Sequence, residues 1–232
     1  MTKTQGTKEP SVSRGLLARP LDSLIFLLPL IACYEVSSLT CPNRVIASNL
    51  LERFVALFGP AGMWVPGVVV IIILLAMHLA SHEKWAIHWR RVGMMYVEAV
   101  LLAIPLYVLN QAIPMLGGVL DSNLFHQIAM GLGAGVYEEL VFRLMLITLL
   151  VMIGSDLLHM DRMAVAIVAV LASALLFALH HHRPIGSEPF VPATFLFRTL
   201  AGVYLSLVFW YRGYGLAAGA HAAYNVAILL TQ

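Results

Sequence analysis

Charge is scarce in this chain: Asp, Glu, Lys and Arg make up 11% of its 232 residues, against about 25% in an ordinary soluble domain. That shortage excludes a surface designed mainly for water. Cysteine is nearly absent too, with Cys33 and Cys41 alone. Two cysteines cannot build a disulfide framework and their spacing is not that of a zinc site, so both read as structural. No basic stripe accompanies the formal net charge of +2, which leaves nucleic-acid binding without support. There is no internal repeat, low-complexity tract or linker.

What fills the chain is apolar: 60% hydrophobic residues and a mean hydropathy of +0.87. A bilayer core about 30 Å thick takes roughly 20 apolar residues per helical crossing. Apolar length and the Pro, Gly and charge punctuation between runs predict an all-α, polytopic bundle of about seven spans, within a range of six to eight. They fall near 22–40, 62–80, 93–116, 128–153, 163–182, 193–211 and 214–231. Residues 1–20 read as a polar, basic tail and 21–232 as a single membrane-embedded domain. Pro29, Tyr34 and Glu35 interrupt the first run without a small-residue cleavage site, so the first helix is expected to be retained.

Between the first two spans, Val45, Ile46, Leu50, Leu51, Phe54, Val55 and Phe58 recur at helical spacing, with Arg44, Glu52 and Arg53 outside that stripe. This pattern predicts an interfacial helix near 44–58. With the N-terminus inside, the inner segments hold Lys3, Lys8, Arg14, Arg19, Lys84, Arg90, Arg91, Arg162 and Arg212, and the outer ones Arg44, Arg53 and Arg183. The bias favours a cytoplasmic N-terminus. Trp85, Trp89, Trp210 and Tyr211 fit an aromatic belt at the lipid–water interface.

Ionisable side chains within membrane helices cost about 2.5 kcal/mol or more and usually face a protein interior or a wet cavity, so function is sought there. Three clusters stand out on separate helices. In Tyr137-Glu138-Glu139-Leu140-Val141-Phe142-Arg143, Glu139 and Arg143 share a face and can pair, whereas Glu138 points about 100° away with no cation near it in sequence. That isolation suits a group that accepts and returns a proton. In Phe177-Ala178-Leu179-His180-His181-His182, Phe177 and His181 share a face, so the aromatic ring can fix the imidazole. His180 and His182 point elsewhere and are expected at a solvated helix end. In His221-Ala222-Ala223-Tyr224-Asn225, the two polar groups lie one turn apart behind the small-residue run Gly215–Ala220, which permits close helix approach. Glu35 and Glu98 read as isolated structural charges, and Arg198 as a side chain that snorkels towards the interface.

Taken together, Glu138-Glu139-x-x-x-Arg143, Phe177-x-x-x-His181 and His221-x-x-x-Asn225 resemble the CAAX protease and bacteriocin-processing family of intramembrane proteases, which includes the type II CAAX prenyl endopeptidase. Three motifs in register across 128–231 carry the resemblance. It implies an all-helical glutamic-type endopeptidase, usually of about eight helices, with a conical cavity open to membrane and cytosol. On that reading Glu138 and His181 activate a water, His221 and Asn225 donate to the oxyanion, and Glu139, Arg143 and Phe177 support them. No cofactor and no metal are expected. The expected partners are the bilayer and a membrane-anchored protein or peptide substrate, in a bacterial plasma membrane. A zinc protease is the nearest rival, since two histidines and a carboxylate form an open zinc set. A proton-coupled transporter and a non-catalytic scaffold or immunity protein are the others. Substrate and oligomeric state stay open.

Overall fold

A computed structural model describes residues 19–40, 64–113 and 123–231. Its described residues form seven helices and no strand, the one extended pairing being an isolated bridge between His182 and Glu188. The helices are α1 (Pro20–Thr40), α2 (Val65–Ser81), α3 (Trp89–Ala112), α4 (Leu124–Leu157), α5 (Arg162–Leu179), α6 (Pro192–Arg212) and α7 (Tyr214–Thr231). By length and composition, α1, α3, α4, α5 and α6 can cross a membrane, and α2 is a shorter apolar helix. The expected interfacial helix near 44–58, and nearly all of the 1–20 tail, lie outside the described residues.

Local chemistry sets the boundaries. The Asn123 side chain accepts from the His126 N–H at the start of α4, and Asp161 accepts from Ala164 at the start of α5; both are N-caps for otherwise orphaned donors. Helix α3 begins four residues earlier than expected, since Trp89, Arg90 and Arg91 extend it. It stops at Ala112 because Ile113, extended at φ −112° and ψ 107°, precedes Pro114. Gly213 separates α6 from α7 at φ 87°, a backbone conformation that favours glycine. Helix α4 departs from regularity just beyond Glu139: Leu140–Ile147 is π-helical, as is Met152–Leu157. Such wide turns cluster at functional sites. Ser173 of α5 donates to the Phe142 carbonyl within the first of them.

Helix α7 lies at the centre, packed along α4 and α3, while α5 packs on α6. Its small residues make this possible: Phe26 of α1 fits against Gly219, and Ser23 against Gly215. On α3, Val97, Leu101, Ile104 and Val108 are all more than half exposed, on one face at 4-3-4 spacing. A soluble protein would not leave such a stripe in water, whereas lipid tails match it. Trp85, Trp89 and Tyr211 are exposed at the end of the bundle where Arg90, Arg91 and Arg212 gather, as an interfacial belt requires.

A close crossing brings α4 against α7. A Cβ on Gly135 would stand 2.5 Å from the Ala222 backbone nitrogen. Gly135→Ala is therefore expected to destabilise by about 1–3 kcal/mol through overpacking, less the helix propensity that alanine recovers. Because Ala222 adjoins His221, activity should fall more than thermal stability does; parallel melting and cleavage assays check this.

Candidate active site

The last turn of regular helix in α4 carries Glu138 and Glu139 into the interior. Glu139 is fully buried, and so is Arg143, whose Nη1 donates to Glu139 Oε1 at 2.8 Å. The expected pair is present. Arg143 Nη2 also donates to the Gly202 carbonyl at 3.3 Å, and its guanidinium stacks 4.4 Å above the Phe177 ring. His221 reaches the same Glu139 oxygen with Nδ1 at 2.9 Å. A carboxylate held by a guanidinium is an acceptor, so His221 Nδ1 carries a proton and Nε2 points onward.

That second nitrogen lies 3.9 Å from Glu138 Oε2. On the other side of the same carboxylate, His181 Nε2 is 3.7 Å and His180 Nε2 is 3.8 Å from Oε1. Both imidazoles turn Nδ1 towards the Phe177 carbonyl, at 2.8 Å for His180 and 2.9 Å for His181. A carbonyl only accepts, so each Nδ1–H donates and each Nε2 faces Glu138. The Phe177 ring packs edge-on against His181 at 5.2 Å and against His221 at 5.8 Å. His181 lies beyond the end of α5. Burial, then the neighbouring His180 and the Arg198 charge, holds it well below the ordinary histidine range, so the ring is neutral.

The expectation for the flanking histidines is corrected. His180 is 8% exposed and joins the Glu138 cluster, and His182 is 2% exposed. Neither is solvated. The reason is that α5 ends at Leu179, and the chain then turns back on itself: Glu188 N–H donates to the His181 carbonyl and Arg183 N–H to the Glu188 carbonyl. His182 packs against Phe190 and Phe195 and meets the Pro189 carbonyl with Nδ1.

Arg198 does not snorkel. It grips both oxygens of Glu188 at 2.7 and 2.9 Å, tying this loop to α6. The sequence reading missed Glu188; the signal was a single arginine inside an apolar span with one acid ten residues upstream. Glu98 is not isolated either, since Arg212 holds both its oxygens at 2.6 Å, and Glu35 accepts from the Tyr137 hydroxyl at 3.1 Å. Asn225 spends one amide N–H on the Gly131 carbonyl at 2.9 Å, leaving the other to act as a donor.

The Glu188 clamp has a pH signature. Burial raises the carboxyl, but the Arg198 hydrogen bonds and charge outweigh it and hold Glu188 below its ordinary 4.5. A depressed carboxylate stabilises the fold fully above its unfolded value and loses that contribution as pH falls through the folded one. The melting-temperature gap between wild type and Glu188→Gln is therefore expected to be constant from about pH 7 to 5 and to close below about 4.5.

A family model for the type II CAAX prenyl endopeptidase Rce1-like proteins matches residues 120–227, which contain the Glu138, His181 and His221 motifs. The C-terminal half of the chain is thus similar to the CAAX protease family, as its three motifs imply. Nothing among the curated proteins or the solved structures matches it. In this multi-pass chain the three motifs lie on α4, on α5 with the turn that follows, and on α7; the fold brings His180, His181 and His221 to the Glu138 carboxylate, while the Asn225 amide meets the Gly131 carbonyl.

Proposed function

We propose that the chain is an intramembrane endopeptidase in which Glu138 and His181 activate a water against a peptide bond of a membrane-anchored substrate. One observation carries this. Nε2 of the neutral His181 ring and Glu138 Oε1 are both acceptors, yet they face one another at 3.7 Å. Separations beyond about 3.5 Å between polar groups call for a bridging species, and a water with two protons to give fits between them. Arg143 balances only one of the two buried carboxylates, so the second negative charge is available to bind a proton.

In the reaction, Glu138 takes one proton from the water as its oxygen bonds to the scissile carbonyl carbon. The carbonyl oxygen becomes the oxyanion, the C–N bond then breaks, and Glu138 returns the proton to the leaving amine. His181 orients the water through its lone pair. The second N–H of Asn225 donates to the oxyanion, and His221, its Nδ1–H fixed on Glu139, holds Nε2 towards the reacting atoms. The enzyme is a plasma-membrane protein of bacterial type with its N-terminus in the cytoplasm.

Zinc is the second reading, because Glu138, His180 and His181 offer ligand atoms within 4.8 Å of one another. The donor types fit the ion, and carbonyl-anchored Nδ1 atoms are the usual support for ligating histidines. Such an ion would supply Lewis-acid polarisation of the water. With Glu138 a ligand, however, the nearest other carboxylate is Glu139, already committed to Arg143 and His221, and the reaction loses its base. The glutamic reading gives every group a task.

The deciding experiment is cleavage of a library of membrane-tethered peptides by purified protein in liposomes, with and without a zinc chelator. His181→Ala is expected to lose about 10²-fold or more, the range of a positioned acid–base group, and His180→Asn less than tenfold, with the chelator silent. Chelator-sensitive cleavage would move the assignment to zinc. Equal cleavage by wild type and His181→Ala would end the protease reading of this cluster.

A further inference from the structure

At the end of the bundle marked by the exposed tryptophans lies a second cavity, of about 710 Å³. It shares no residue with the Glu138 cluster. Its described lining holds four arginines, Arg19, Arg90, Arg91 and Arg212, and His88, against two carboxylates, Asp22 and Glu98.

The acids are spent inward. Asp22 is 2% exposed, accepts from the His88 backbone N–H and pairs with Arg91, while the Arg91 side chain stays 47% exposed. Glu98 is less exposed than the Arg212 it holds, 31% against 52%. Arg19 donates to the His88 ring and lies 4.0 Å from the exposed Glu83, which is outside the cavity lining, and keeps more than a third of its side chain in the open. Arg90 is exposed, and no hydrogen bond or ion pair engages it among the described residues. Negative charge thus forms the floor and guanidinium groups the mouth. Met94, Met95, Tyr211 and Leu216 supply an apolar wall.

We propose that this cavity binds a phosphate-bearing anion at the membrane surface, and that its occupant is the headgroup of an anionic phospholipid. Guanidinium groups match phosphate oxygens in charge and fork geometry. Trp85, Trp89 and Tyr211 place the mouth at the depth where lipid phosphates lie, and the apolar wall accommodates the first carbons below the headgroup. Basic pockets between membrane helices recognise headgroups by this combination. Free phosphate offers the same chemistry without the apolar part.

The test is native mass spectrometry of the delipidated, purified full-length protein titrated with phosphatidylglycerol, with phosphatidylcholine, and with inorganic phosphate as competitor. Arg90→Gln and Arg90→Glu are the variants, because no partner among the described residues is orphaned by either change. Wild type is expected to prefer phosphatidylglycerol, with about fivefold weaker binding in Arg90→Gln, one arginine's share of attraction to an anionic lipid, and a larger loss in Arg90→Glu. Displacement of the lipid by millimolar phosphate, lost with the same variants, would keep the site and assign it to a soluble phosphate. Equal affinity for both lipids, or variants that bind phosphatidylglycerol as wild type does, would overturn the proposal. Because the readout is binding, it is independent of whether the Glu138 cluster cleaves anything.

Discussion

Glu138→Gln is expected to reduce kcat by about 10²–10⁴-fold, the range that a positioned general base contributes, while leaving the protein as stable as wild type or more so. The amide keeps the volume and still presents an oxygen to the water, but it cannot take the proton. Stability should not suffer because Glu138 and Glu139 are adjacent carboxylates in a buried site with one guanidinium between them, and removing one charge relieves repulsion. Three histidines surround Glu138 at 3.7–3.9 Å, and none of them makes a hydrogen bond to it that the substitution would break. Single-turnover cleavage with a tethered peptide, alongside thermal unfolding in the same detergent, separates the two effects. A residual rate within tenfold of wild type would remove Glu138 from the role of base. An inactive variant that has also lost its melting transition would show a structural carboxylate instead.

The bundle was legible because lipid imposes a simple code: apolar length, punctuated by Pro, Gly and charge, located the seven described helices to within a few residues at most ends, although five of them, not seven, have the length and composition to cross a membrane. Spacing by four found Glu139 with Arg143 and Phe177 with His181, since a helix places such residues on one face whatever surrounds it. Pairings across helices were not legible. Glu188 with Arg198, Glu98 with Arg212 and Glu35 with Tyr137 join residues 10, 114 and 102 positions apart, and periodicity says nothing about such distances. His180 was misread for a related reason. The spacing rule assigns neighbouring residues to different faces, but at the end of α5 both imidazoles turn Nδ1 to the Phe177 carbonyl, so His180 and His181 present Nε2 to the same carboxylate. Asn225 stands on the predicted face of α7, yet only the fold shows the Gly131 carbonyl that takes up one of its donors.

Arg143→Met is expected to cost about 3–5 kcal/mol, the penalty for leaving one member of a buried ion pair alone. Glu139 would then keep only the His221 N–H inside a site with no exposure, and its Oε2 already has no hydrogen-bond partner among the described residues. The loss extends beyond the pair, because the same guanidinium holds the Gly202 carbonyl of α6 and lies over Phe177. The informative variant is the double substitution Glu139→Leu with Arg143→Met. Replacing both charges with apolar groups of similar size is often neutral or stabilising, so most of the lost stability should return. Activity should not return, since His221 then has no carboxylate to fix its Nδ1–H. Chemical unfolding and cleavage measured on wild type, both single variants and the double variant give the coupling energy and the catalytic consequence separately. A double variant that is stable and fully active would reduce the Glu139–Arg143 pair to a dispensable staple. Recovered stability with cleavage still lost would assign Glu139 to the orientation of His221.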